Sequence, residues 1–305
     1  MKPTLRIVDP HVHFWDLATH RYPWMESLAD GFLGDTTALK KTYLPAALLA
    51  DAAADIEIEQ VVHVDANHDP ADPVEETRWL QSLADAADGP GWPQAIVAAA
   101  DLSQDGVQAV LEAHQQHRNL RGIRQILNVH SDPHFDYVGR HYLREPRWRE
   151  NFRLLARFGL SFDLQIYPSQ MDEAAQLARQ APDTLLVLNH TGMFVDRATV
   201  TGWRIWRDGL RELAACPNVV IKISGLAMFD HHWTVESMRP YVLEAIDAFG
   251  TDRSMFASNF PVDKLFGSYS AIWRAYDTIV AGASATERDA LFRTSARRVY
   301  RLDNE

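Results

Sequence analysis

Short runs of apolar and β-branched residues recur along the whole chain, at residues 5–8, 58–64, 95–100, 120–127, 160–166, 184–188, 219–223 and 254–257. Each has the length of a buried strand. Between them lie stretches with apolar residues at helical spacing, at 75–83, 148–158, 171–179, 210–215, 242–249 and 272–280. Strand and helix in alternation predict a parallel sheet, because parallel neighbours need a crossover between them, and eight such units suffice to close a barrel. The predicted fold class is α/β, a (β/α)8 TIM barrel. An open doubly wound sheet shares the alternation. Its glycine-rich turn after the first strand is missing here, where the first run leads into Asp9-Pro10-His11-Val12-His13-Phe14-Trp15-Asp16.

A chain of 305 residues could hold two average domains, but no internal repeat, low-complexity tract or Pro/Gly/Ser linker divides it. Residues 1–305 therefore read as one domain ending in a helical tail over 286–301. Ser103, Ser169 and Thr234 with Ser237 stand where helix caps are expected. Hydrophobic residues make up 47% and charged residues 23%, the balance of a globular enzyme. A net charge of −11 repels phosphates and anionic lipid heads, which argues against nucleic acid and membrane surfaces as partners. No apolar span is long enough to cross a bilayer, Met1-Lys2-Pro3-Thr4 opens no signal-peptide pattern, and the single Cys216 can form no internal disulfide. A cytoplasmic protein acting on a small molecule is expected, with homo-oligomerisation left open.

Chemistry in such a barrel sits where strands end at their carboxyl side, and polar residues follow the apolar runs repeatedly. His11 and His13 are two apart, so on an extended strand both imidazoles face the barrel mouth, where they can share a metal or polarise one carbonyl. His190, after the apolar run 185–188, is a third imidazole on the same rim. Lys222 interrupts an apolar strand and, if inward, would suit an anionic substrate; Arg124 could clamp a carboxylate with two parallel hydrogen bonds. Asp163 and Gln165 share a strand face and are placed for substrate hydrogen bonding, as are His63 and Asp65 on the second strand. Phe14, Trp15, Tyr22 and Trp24 crowd the first loop, where Trp15 and Trp24 could wall a pocket or simply pack beneath it. His231 and His232 serve a surface turn as readily as a site and are not taken as ligands. His114 and His117 fall on a polar helix face and read as solvated.

Five segments in this order make the chain resemble the amidohydrolase superfamily, and within it the TIM-barrel lactonases of amidohydrolase family 2. They are residues 8–16 with Tyr22-Pro23-Trp24, Arg121-Gly122-Ile123-Arg124, Asn189-His190-Thr191-Gly192, Lys222-Ile223-Ser224-Gly225-Leu226, and the segment 256–263. The resemblance implies hydrolysis of small lactones, of sugar-acid or of dicarboxylic, muconate type, by water activated against a polarised carbonyl. It further implies that His11, His13 and His190 hold one divalent metal such as zinc or, in metal-independent members, polarise the carbonyl themselves. A metal-dependent decarboxylase is the alternative activity that the superfamily offers. In the family an Asp after the eighth strand is the general base; here Asn259 stands there, and a neutral amide takes no proton from water near neutral pH. Asp263 could take over, Asp65 or Asp163 could supply the carboxylate from another strand, or the altered barrel could bind a small acidic ligand without turnover. An anionic or polyhydroxylated substrate is expected, with Asn259, Asp263 and His190 at the chemistry.

Overall fold

The computed structural model describes residues 4–26 and 31–302. All eight expected strands form: β1 (Leu5–Val12), β2 (Ile56–Val64), β3 (Ala95–Ala99), β4 (Leu120–Ile126), β5 (Ser161–Gln165), β6 (Leu186–Leu188), β7 (Val219–Ile223) and β8 (Ser254–Phe256). They pair in chain order, every neighbour parallel, with helices between them. Past the end of β8, the Asn259 N–H donates to the His11 carbonyl at 2.9 Å, and the His13 N–H donates to the Phe260 carbonyl at 2.8 Å. These two bonds close the sheet into a single-domain TIM barrel at its mouth, and they set the last loop directly against the two histidines of β1.

Side-chain alternation along each strand gives the barrel two apolar layers. Ile7, Ile96, Ile123, Phe162, Leu164 and Ile221 point outwards and pack against the helices. Val8, Val62, Val64, Val97, Val187 and Val220 point inwards and fill the barrel, joined by Val299, Tyr300 and Leu302 from the end of the chain. That end is helical over Ala285–Asp289 and Ser295–Tyr300, with a π-helical turn between. It crosses the face opposite the mouth, where Ser295 bonds the Thr251 carbonyl just ahead of β8 and Arg301 the Arg121 carbonyl in β4.

Two helices run well beyond the stretch their apolar spacing suggests, while the one expected over 148–158 breaks into Pro146–Phe152 and Leu154–Arg157. The stretch expected at 210–215 belongs to Val200–Ala214, and the one at 242–249 to Val235–Phe249, capped by Thr234 and Ser237. Ser103 and Ser169 do not cap: Ser103 bonds Asp101, and Ser169 lies inside the short turn Pro168–Gln170. The solvated reading of His114 is overturned. In the helix Val107–His114 the histidine falls at i+7 on the face of Val107 and Leu111, and His114 is fully buried with them, its Nδ1 2.9 Å from Thr77 Oγ1 and its Nε2 3.1 Å from the Ala99 carbonyl. Among the described residues no helix is long and apolar enough to cross a membrane.

Candidate active site

Three imidazoles gather at the mouth. The His11 ring lies 5.0 Å from that of His13 and 4.5 Å from that of His190, and all three are buried. His190 is carried on left-handed backbone at φ 52°, followed by Thr191 at φ 53°, a costly conformation for a β-branched residue and one that tends to persist at functional sites. Gly225 makes room for it: with φ +64°, it approaches so closely that a Cβ there would stand 2.8 Å from His190 Nδ1. His190 Nδ1 is also 3.1 Å from Ser224 Oγ. Burial holds all three histidines well below the usual imidazole range, and neighbouring cations add to it: Lys222 for His11, Arg124 for His13 and His190.

Beneath the histidines lies an ion pair. Lys222 points into the barrel and donates to Asp163 Oδ2 at 2.6 Å, while its Nζ is 3.5 Å from His11 Nδ1. Asp163 also accepts from Asn189 Nδ2 at 3.0 Å and from the Tyr300 hydroxyl at 2.9 Å. Lys222 and Asp163 are both completely buried, so they support the site from below and do not face its chamber. Burial lowers the Lys222 ammonium to about 8, against the opposing pull of Asp163.

The chamber above, about 110 Å³, is lined by His13, Trp15, Trp24, Arg124, Gln165, His190 and Asn259 among the residues expected from sequence. Sequence reasoning did not single out its remaining walls, notably Tyr137, Tyr167, Met193 and Met228, or Asn128, whose one signal is its position just past β4. The indoles are fixed by backbone carbonyls, Trp15 Nε1 donating to Lys41 at 2.7 Å and Trp24 Nε1 to Ala66 at 2.8 Å. Arg124 donates from Nε to Asp65 Oδ2 at 3.2 Å, from Nη1 to Gln165 Oε1 at 3.1 Å and from Nη2 to the Asp65 carbonyl. Asp65 thus holds the guanidinium from the side and lines a second, adjoining cavity. With Val62 and Val64 pointing inwards, His63 lies outside the barrel, its Nε2 3.7 Å from Glu76.

Asn259, at φ 58°, a conformation Asn tolerates better than most residues, donates from Nδ2 to Asp263 Oδ1 at 2.7 Å. Asp263 sits behind Asn259, buried, and outside the residues that line the chamber. Burial raises its carboxyl to about 8.

His11 Nε2 is buried without a hydrogen-bond partner, and His11 stands behind His13 and His190, outside the residues that line the chamber. Among the described residues, however, no three His, Cys, Asp or Glu side chains are placed to hold a metal ion. The position after β8 offers a neutral amide, and the Lys222 ammonium stands against His11. This donor set does not fit the resident divalent cation that the sequence resemblance implied.

The model of the amidohydrolase family matches residues 8–302. Over 300 residues the chain is 49% identical to y4mH, an uncharacterised protein of Sinorhizobium fredii, spanning 98% of this chain and 99% of that one. It is 30% identical over 310 residues to an L-fucono-1,5-lactonase of Burkholderia multivorans, spanning 97% of this chain and 96% of the relative. The crystal structure of a Burkholderia multivorans amidohydrolase with bound zinc matches it at a TM-score of 0.80 and 29% identity, over 97% of this chain and 99% of that one. From the first strand to the helix that plugs the barrel, the chain belongs to the amidohydrolase family.

Proposed function

We propose that the protein hydrolyses a lactone, with His13 as general base and His190, backed by His11, polarising the carbonyl. The observation that carries this is the pair of opposite tautomers imposed on neighbouring imidazoles. His13 Nδ1 is 2.6 Å from the Val64 carbonyl, which can only accept, so the neutral ring keeps its proton on Nδ1 and its lone pair on Nε2, where the Asn259 Oδ1 contact is much longer at 3.4 Å. An ammonium can only donate, so Lys222 beside His11 Nδ1 leaves the His11 proton on Nε2, the atom without a partner.

His13 Nε2 takes a proton from water as the water oxygen bonds to the lactone carbonyl carbon. The charge that develops on the carbonyl oxygen is met by His190 at the chamber wall, with His11 Nε2–H behind it, the two rings 4.5 Å apart. Collapse of the tetrahedral intermediate breaks the ring C–O bond, the proton passes from His13 to the leaving alkoxide, and the product is a hydroxy acid. Arg124, held by Asp65 and Gln165, orients the substrate at the rim. This scheme needs no carboxylate at position 259: Asp263 is screened by Asn259, and Asp163 is committed to Lys222 and Tyr300.

Turnover of a panel of sugar-acid, muconate-type and simple lactones by the wild type, His13→Ala and His190→Ala tests the reading. Opening of at least one lactone, lost in both variants, is the expected result. No activity on any lactone, or equal activity in the wild type and His13→Ala, rejects it.

A further inference from the structure

The chamber over the histidines is half of a longer cleft. A second cavity of about 690 Å³ adjoins it, and the two share Trp24, Asn67, Arg124, Ile126 and Tyr137 as common walls. The inner chamber, at about 110 Å³, takes a single small ring. The outer one is several times larger than such a ring needs, lies away from the histidines, and is walled by Pro23, Pro70, Pro73, Val107, Val110 and Val138. Building on the lactone reading, we propose that the substrate is an uncharged lactone with a bulky apolar substituent, its ring in the inner chamber and its substituent lying past Trp24 and Tyr137 in the outer one.

Two features of the linings select this class. Phe32, Leu33, Met193, Met228 and Val262 line the inner chamber beside the neutral amides of Asn67, Asn128, Gln165 and Asn259, and among the described residues no Asp or Glu lines it. A sugar lactone would find amides there but none of the carboxylate acceptors that best hold its several hydroxyls, and each hydroxyl turned against the five apolar side chains and left unpaired costs about 1–3 kcal/mol. Charge argues equally against an acidic substituent. Arg124 is the only Lys or Arg on either lining among the described residues, it is already bonded to Asp65 and Gln165, and Asp65, Glu76 and Asp101 line the outer chamber. A carboxylate entering there would meet more acidic side chains than basic ones.

Gly106 offers a way to fill the outer chamber without touching the proposed chemistry. It lines that cavity, has ordinary backbone at φ −88°, and a Cβ built on it meets nothing within 4 Å. The experiment measures kcat/KM of the wild type, Gly106→Trp and Val110→Phe on δ-valerolactone, δ-decalactone, dihydrocoumarin, gluconolactone and a carboxylated δ-lactone. The wild type is expected to prefer δ-decalactone and dihydrocoumarin over the other three by about tenfold or more, the usual value of extra apolar groups in a matching pocket. Gly106→Trp and Val110→Phe should erase that preference and leave δ-valerolactone within about twofold of the wild type. Equal or better turnover of gluconolactone or the carboxylated lactone overturns the substrate class while leaving lactone hydrolysis standing. A preference that survives both variants, or a fall on δ-valerolactone as large as on the extended lactones, overturns the placement of the substituent. No turnover of any lactone removes the parent reading and this one with it.

Discussion

Lys222 Nζ lies 2.6 Å from Asp163 Oδ2 inside the barrel, and neither side chain reaches solvent. The ammonium also sits 4.9 Å from the centre of the Tyr300 ring. Removing one partner strands a charge that the interior cannot solvate. Lys222→Met should therefore cost about 3–5 kcal/mol in urea unfolding, and Lys222→Met combined with Asp163→Leu should recover a good part of it. A single-variant loss below about 1 kcal/mol would show that the pair contributes no more than a surface ion pair does.

His13→Ala removes the proposed base without touching the bonds that close the barrel, since those run through the His11 carbonyl and the His13 N–H. We expect kcat to fall by about 10²–10⁴-fold with KM far less affected, and added imidazole to restore part of the rate. A kcat unchanged by the substitution would assign the proton transfer elsewhere.

Gly225→Ala tests the approach that seats His190. The new Cβ would lie 2.8 Å from His190 Nδ1 and 2.6 Å from Met228 Cε, on backbone at φ +64°. Displacing His190 by about 1 Å should lower kcat on the order of 100-fold, and thermal melting should show a loss of about 1–3 kcal/mol. Full activity would mean that the loop adjusts freely and that the strained backbone at His190 has no role in positioning.

His114 makes stability depend on acid. Burial lowers it to about 4 in the folded chain, from an ordinary 6.5, while an unfolded chain keeps the ordinary value. Between those values the unfolded state binds more protons, so its contribution is intact above 6.5 and is lost as pH falls towards 4. Replacement by Gln should flatten the fall in stability across that window by on the order of 3 kcal/mol, read as the difference between the two urea midpoints. Parallel curves for the wild type and His114→Gln would refute this.

Asp263 acts in the opposite sense. Its folded carboxyl is raised to about 8 from 3.8, so it holds its proton where the unfolded chain has lost it, and stability drains away as pH rises from 3.8 through 8. Asp263→Asn keeps an acceptor for Asn259 and has no proton to lose. It should gain stability over the wild type steadily from pH 5 to pH 8 in guanidinium titrations, whereas a constant difference would place the carboxyl in its ordinary range.

The strands and the three histidines were legible because each carries a strong local signal: a β-branched run, a His-X-His pair, an imidazole at the end of an apolar strand. The parity of β2 was not. In a barrel both strand faces are buried, so composition alone does not reveal that Val62 and Val64 turn inwards and send His63 out towards Glu76. The chamber walls were hidden for a different reason, since Phe32, Met193, Met228 and Val262 come from separate loops whose meeting is fixed only by tertiary packing. Tyr300 gave no signal at all, being far in sequence from the Asp163 it bonds.

That bond also bears on the order in which the enzyme becomes competent. Tyr300 emerges from the ribosome after all eight strands, yet it supplies a hydroxyl to the carboxylate that steadies Lys222 under His11. A nascent chain halted just past β8 could pair its strands but would lack the hydroxyl that bonds Asp163 beneath Lys222. Maturation of the site is thereby tied to the emergence of Tyr300 rather than to closure of the barrel.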